Sequence, residues 1–212
     1  MRRTSRRWAV VGVSLALTLA ACSTGTDAVS PGSTFSFVAP GGKTKIFYDP
    51  PSARGVSPDI SGDDLLRPGT HIGLADYPGK VVVLNIWGSW CGPCRAEMPE
   101  LQRVYDHTKN SGVTLLGIDV RDDTRSAPQD FIRNIGVTYP SIYDPPGRSL
   151  LTLEGYPRNI VPSTIVLDRH HRVAAVFLMA LLAADLQPVV DRLAAEPPQP
   201  MPASSGSRGV TS

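Results

Sequence analysis

The chain has 212 residues, with 21 Lys+Arg against 19 Asp+Glu, four histidines and three cysteines. That near balance, with no basic tract and no aromatic–basic alternation, argues against nucleic acid as a partner. The length suits a single domain with a core of ordinary size, and no repeat is visible.

The N-terminus reads as a targeting segment. Arg2, Arg3, Arg6 and Arg7 precede a short, uncharged, mostly apolar run from Trp8 to Ala21. That run is too short to span a bilayer comfortably, which takes about 20 residues. It ends Leu19-Ala20-Ala21-Cys22, which resembles the lipobox of bacterial lipoproteins. The resemblance implies lipidation of Cys22 and a signal peptide over 1–21. An ordinary signal peptide cut near Ala21 and a retained anchor helix are the competing readings. Ser5-Arg6-Arg7 resembles a twin-arginine signal, but the residues that follow fit it poorly. Losing the four arginines leaves 17 basic against 19 acidic residues, a mature net charge of −2.

Residues 22–34 are small and polar after the cysteine, as in a flexible tether. Phe35-Ser36-Phe37-Val38 and Lys45-Ile46-Phe47-Tyr48 flank Pro40-Gly41-Gly42, so 35–59 is expected to be a β-hairpin extension. From about 60 to 196 the pattern is α/β. Val81–Trp87, Val113–Asp119, Ser163–Asp168 and Arg172–Leu178 are apolar runs rich in β-branched residues, the pattern of buried strands. Asp168-Arg169-His170-His171 reads as the turn between the last two, with solvated histidines. Helices are expected near 92–110, 126–136 and 181–195, with Ser126 as an N-cap and Pro99 kinking the first. In the third, Leu182, Leu186, Val189, Val190 and Leu193 recur at helical spacing as a core-facing stripe. These elements predict a central mixed sheet covered on both faces. The tail 197–212, rich in Pro, Ser and Gly, is expected to be disordered.

Trp90-Cys91-Gly92-Pro93-Cys94 joins the end of the first apolar run to the first helix. Two cysteines at this spacing on a helix N-terminus suit reversible dithiol–disulfide chemistry. Unpaired N–H groups and the partial positive charge there stabilise a Cys91 thiolate. Cys94, one turn further in, can then attack a mixed disulfide formed by Cys91. A structural zinc site normally takes four Cys or His ligands, and His71, His107, His170 and His171 lack the paired spacing to complete one. A purely structural disulfide across so small a loop constrains the unfolded chain little. No metal or cofactor is therefore expected.

The run Lys80–Arg95, with Glu97-Met98-Pro99 and Val161-Pro162-Ser163-Thr164, resembles the TlpA/ResA-like extracytoplasmic thiol–disulfide oxidoreductases of thioredoxin fold. The resemblance covers about 60–196. It implies that Cys91 is the exposed nucleophile and Cys94 the resolving thiol. It also implies that the Val161–Pro162 bond is cis and faces the dithiol, offering substrate the Val161 backbone; a trans proline at a strand start is the alternative. Trp90 is expected to pack beside the dithiol and shape access to it. Many cytosolic thioredoxins carry a buried aspartate six residues before the first motif cysteine, whereas Asn85 stands here. Asparagine cannot take up and return a proton, so the proton acceptor for Cys94 is open. Glu97 reads as a solvated helix residue, and Asp122 and Asp123 as loop and cap residues.

The expected function is thiol–disulfide exchange on exported proteins at the outer face of the bacterial cell membrane. By resemblance, the protein acts as a reductant of partners such as apocytochrome c and takes electrons from a membrane protein. An oxidase running the same site backwards and a non-catalytic binding lipoprotein are the alternatives. A peroxidase is disfavoured, since a helical Cys-x-x-Cys with proline is not the usual peroxidatic arrangement.

Overall fold

The computed structural model describes residues 33–38 and 41–197. The expected signal peptide, Cys22, all but the last residues of the tether, and the tail from 198 lie outside these described residues.

One eight-stranded mixed sheet organises the domain. The strands are β1 (Lys45–Phe47), β2 (Ser61–Asp64), β3 (His71–Gly73), β4 (Val81–Trp87), β5 (Val113–Asp119), β6 (Ser141–Tyr143), β7 (Ser163–Leu167) and β8 (Val173–Phe177), and their order is β1-β8-β7-β4-β5-β6-β2-β3. The helices are α1 (Gly92–Thr108), α2 (Ser126–Ile135) and α3 (Ala183–Ala195). β4 lies between β5, to which it is parallel, and β7, to which it is antiparallel. All seven of its residues are buried, which explains why its sequence is a nearly continuous apolar run.

Side chains alternate across β4, and the two sets enter different clusters. Val81, Val83 and Trp87 meet Met98, Leu101 and Val104 of α1, Phe131 and Ile132 of α2, and Leu186, Val190 and Leu193 of α3. Val82, Leu84 and Ile86 face Phe35, Phe37, Leu150, Leu153 and Tyr156. Both faces are covered as expected, with the three α-helices on one. An extended N-terminal segment and a short 3₁₀ helix (Arg148–Thr152) cover the other. Full burial of a Leu or Met on such a face is worth about 1.5–3 kcal/mol.

Three local expectations are corrected. Phe35–Val38 and Lys45–Tyr48 do not form a hairpin with each other. The Phe35 N–H donates to the Val56 carbonyl and that of Phe37 to the Glu154 carbonyl, both at 2.8 Å, while β1 lies antiparallel to β8. An isolated two-stranded hairpin buries too little to be stable, whereas the open edge of β8 supplies ladder partners and a core for Ile46. Ser126 is the first helical residue of α2 and Arg125 takes the N-cap position. Leu182 is exposed and precedes α3, while the rest of its stripe is buried. Pro99 lies within α1, which continues through it to Thr108.

The termini of the domain are tied together by Arg54, which is buried. Its guanidinium donates to Asp49 at 2.9 Å, to Asp168 at 3.2 Å, to both carboxylate oxygens of Glu196 at 2.7 Å, and to the Tyr48 carbonyl at 3.1 Å. Burial works against ionisation of Asp168, yet hydrogen bonds from the Arg172 side chain and the Arg172 and His170 N–H groups hold its carboxyl below the usual range. The tight turn from β7 to β8 is thereby fixed. His171 adopts φ 54° in that turn, and its ring nitrogen lies 3.0 Å from the Tyr77 carbonyl.

Candidate active site

The sequence places Cys91 at the N-cap of α1, where β4 ends and the first helical turn begins with Gly92 and Pro93. Proline fits there because N–H groups of the first turn have no intrahelical partner. Cys91 and Cys94 are joined as a disulfide with Cα atoms 5.3 Å apart. The Cys94 N–H points at Cys91 Sγ from 3.2 Å, so a helix-end donor already faces the sulfur that would carry the negative charge. Cys94 is fully buried and Cys91 is 3 % exposed, so access to the disulfide is narrow even at the outer sulfur.

The partners expected from the sequence converge here. The Val161–Pro162 bond is cis, and the Val161 carbonyl oxygen lies 3.8 Å from Cys91 Sγ. Trp90 is half-exposed next to the disulfide, its indole N–H donating to the Val120 carbonyl at 3.0 Å. Gly88 makes that pose possible, since a Cβ there would fall 2.4 Å from the indole nitrogen. The Arg95 guanidinium stacks on Phe131 and donates to the Ser89 carbonyl at 3.2 Å, bracing the loop ahead of the motif.

Three carboxylates in this region have environments their sequence positions concealed. Glu97 was expected in solvent and is 1 % exposed. It faces the sheet because it lies three residues after Cys94, on the same buried side of α1. Its carboxylate accepts the Leu181 N–H at 3.0 Å and lies 3.5 Å from the Asn85 amide nitrogen, which also donates to Thr164 at 3.2 Å. Burial pushes the Glu97 carboxyl up to about 7, with those two hydrogen bonds opposing. Asn85 thus stands against a buried acid, its amide nitrogen 3.5 Å from the Glu97 carboxylate.

Asp122, expected in a loop, is buried and clamps the motif loop. Its two oxygens accept the Ser89 N–H at 2.7 Å and the Ser89 hydroxyl at 2.5 Å. Asp119, at the end of β5, is fully buried, and no donor reaches either of its oxygens. Burial, then the adjacent Asp122, raise its pKa to about 9. The signal that could have marked both acids is their place: the C-terminal end of a central parallel strand is where α/β sheets build sites.

A buried disulfide on a helix N-terminus, faced by a cis-proline loop and underlain by a buried acid, defines a thioredoxin-fold dithiol–disulfide centre. Comparison with known proteins agrees. Residues 56–176 match the AhpC/TSA family, and the chain belongs to that family. The thiol–disulfide oxidoreductase ResA of Geobacillus kaustophilus is 32% identical over 132 residues, covering 62% of this chain and 72% of that protein. Among solved structures, a secreted thiol-disulfide isomerase from Corynebacterium glutamicum superposes with a TM-score of 0.74 at 46% identity, over 78% of this chain and all of the other. A DsbF homologue from Corynebacterium diphtheriae gives 0.72 at 48% identity, over 76% of this chain and all of the other. This chain is a TlpA/ResA-like thiol–disulfide oxidoreductase with a Cys-Gly-Pro-Cys dithiol.

Proposed function

We propose that the protein is a lipid-anchored extracytoplasmic reductant of disulfides in exported proteins, apocytochrome c haem-binding cysteines among them. The observation that carries the reading is the Cys91–Cys94 pair at the start of α1, opposite the Val161 carbonyl and beside exposed Trp90. In the reduced protein the Cys91 thiolate attacks a partner disulfide, forming a mixed disulfide and expelling one partner sulfur. Cys94 then attacks Cys91 Sγ, expels the second partner sulfur and closes the Cys91–Cys94 bond. Two electrons pass to the partner, whose sulfurs end as thiols.

Cys94 must lose its proton inside the core for the second step. Glu97 is the acceptor, because it is buried on the same helix face and its carboxyl titrates near neutrality. Trp90, Val161 and Pro162 form the substrate-facing rim. Lipidation of Cys22, after Leu19-Ala20-Ala21, keeps the domain beside a membrane protein that returns electrons to the dithiol.

A second reading has its own support. The Corynebacterium glutamicum relative is described as an isomerase, and the same two steps run backwards oxidise a partner dithiol. The equilibrium potential of the dithiol against a glutathione or dithiothreitol series separates them, since about 30 mV changes the equilibrium constant tenfold. A potential near that of thioredoxin, about −270 mV, upholds the reductant. A value near −120 mV, that of a strong oxidant, overturns it.

A further inference from the structure

The surface has an open hollow of about 450 Å³ lined by Arg121, Tyr156, Pro157, Arg158 and Asn159. A second hollow of about 160 Å³ shares Arg121 and Arg158 as its wall. Both arginines are exposed, and among the described residues neither has a carboxylate within ion-pairing distance. Arg54, Arg67, Arg103, Arg125, Arg133, Arg172 and Arg192 pair with acids, whereas Arg95 and Arg169 are engaged with backbone carbonyls.

The cleft is wired to the reaction centre. The Arg121 guanidinium lies 5.2 Å above the Trp90 ring and donates to the Arg158 carbonyl at 3.2 Å. It therefore bridges the aromatic next to Cys91 and the loop that leads, three residues on, to Val161. Arg121 also adopts φ 58°, a left-handed conformation disfavoured for a long side chain. Such a residue persists where the surroundings hold it, here by the Arg121 N–H donating to the Pro145 carbonyl at 2.9 Å. Tyr156 adds no polar group to the cleft, because its hydroxyl is spent on Ser163 at 2.7 Å. The cleft therefore offers a substrate two unneutralised guanidinium groups and the exposed Asn159 amide.

We propose that Arg121 and Arg158 form a specificity subsite for polypeptide substrates with aspartate or glutamate close to the reacting cysteine. This rests on the reading of Cys91 as the attacking thiol and of Trp90 and Val161 as the rim. Guanidinium groups match carboxylates bidentately, and an open cleft lets a substrate side chain reach them without burying a charge. At the surface each pair is worth up to about 1 kcal/mol, or about fivefold, and is screened by salt.

The test uses the full-length reduced protein and three peptides that differ only beside an intramolecular disulfide, in Asp, Ser or Lys. The wild type is expected to reduce the Asp peptide about fivefold faster, by kcat/KM, than the Ser peptide at low ionic strength. That ratio should shrink toward one at about 0.5 M salt, where the Debye length is only a few ångströms. In Arg158→Glu, whose new carboxylate offsets Arg121, the preference for the Asp peptide should vanish, and adding Arg121→Ala should turn it toward the Lys peptide, while Arg133→Ala, on α2, keeps the wild-type order. Equal rates for the three peptides in the wild type, or an order unmoved by Arg158→Glu, would overturn the subsite and leave the exchange reaction standing. Failure to reduce any of the peptides would bring down both.

Discussion

Replacing Glu97 by glutamine should change how stability depends on pH. An unfolded glutamate loses its proton near 4.5, whereas the folded Glu97 holds its proton to about 7 because burial disfavours the carboxylate. Between those values the folded state binds a proton that the unfolded state has released, so stability falls as pH rises. The contribution is fully present below pH 4.5, drains away through the interval, and is gone above pH 7. At about 1.36 kcal/mol per pH unit, the interval amounts to about 3 kcal/mol. Roughly 2.5 kcal/mol of this falls between pH 5 and pH 8. Glutamine keeps one oxygen for the Leu181 N–H and turns an NH2 group toward Asn85, whose otherwise unpartnered amide oxygen can rotate to accept it, but it cannot ionise. Urea unfolding of the disulfide form at pH 5, 6, 7 and 8 should therefore show Glu97→Gln gaining about 2.5 kcal/mol on the wild type across the range. Parallel profiles for the two proteins would refute the reasoning, for they would mean that Glu97 ionises in the fold as it does in water. If Glu97 also takes the Cys94 proton, single-turnover closure of the disulfide should lose its inflection near pH 7 in the same variant.

Other consequences can be checked separately. Arg54→Leu removes the buried guanidinium shared by Asp49, Asp168 and Glu196, each of which keeps Arg172 or Arg192, and should cost about 1.5–3 kcal/mol in chemical unfolding; a loss under about 0.5 kcal/mol would show the cluster to be solvated. Asp122→Ala removes the charged acceptor of the Ser89 N–H and hydroxyl and should cost about 2 kcal/mol. Alkylation of the reduced Cys91 should change rate with it, and an unchanged rate together with unchanged stability would remove Asp122 from the support of the loop. Cys94→Ser should accumulate a mixed disulfide between Cys91 and substrate, visible on non-reducing gels, whereas Cys91→Ser should trap none. A trap formed through Cys94 instead would reverse the two roles.

The chemistry was legible in the sequence because it is local. Cys91 and Cys94 are three residues apart, the strand before them is uniformly apolar, and Gly92-Pro93 begins a helix by backbone rules alone. Strands β4, β5, β7 and β8 and all three helices were visible because their burial leaves a period of apolar residues. β2, with the sequence Ser-Gly-Asp-Asp, has no such period and is a strand only because β3 and β6 pair with it. The pairing of the N-terminal segment is hidden for a different reason. Two short apolar runs around a turn look alike whether they pair with each other or with separate elements.

The sequence by itself determined the redox pair, its position on a helix end and the kind of fold that holds it. Only the tertiary structure decided the state of the groups around that pair. Whether Glu97 faces water or the Asn85 amide depends on which side of α1 packs on β4, and that packing moves its pKa from an ordinary carboxylate value to about 7. Asp122 reaches Ser89, and Arg121 reaches Trp90, across 33 and about 30 residues of chain. Solvent exposure and long-range pairing are properties of the folded surface, so no local pattern of residues could have announced them.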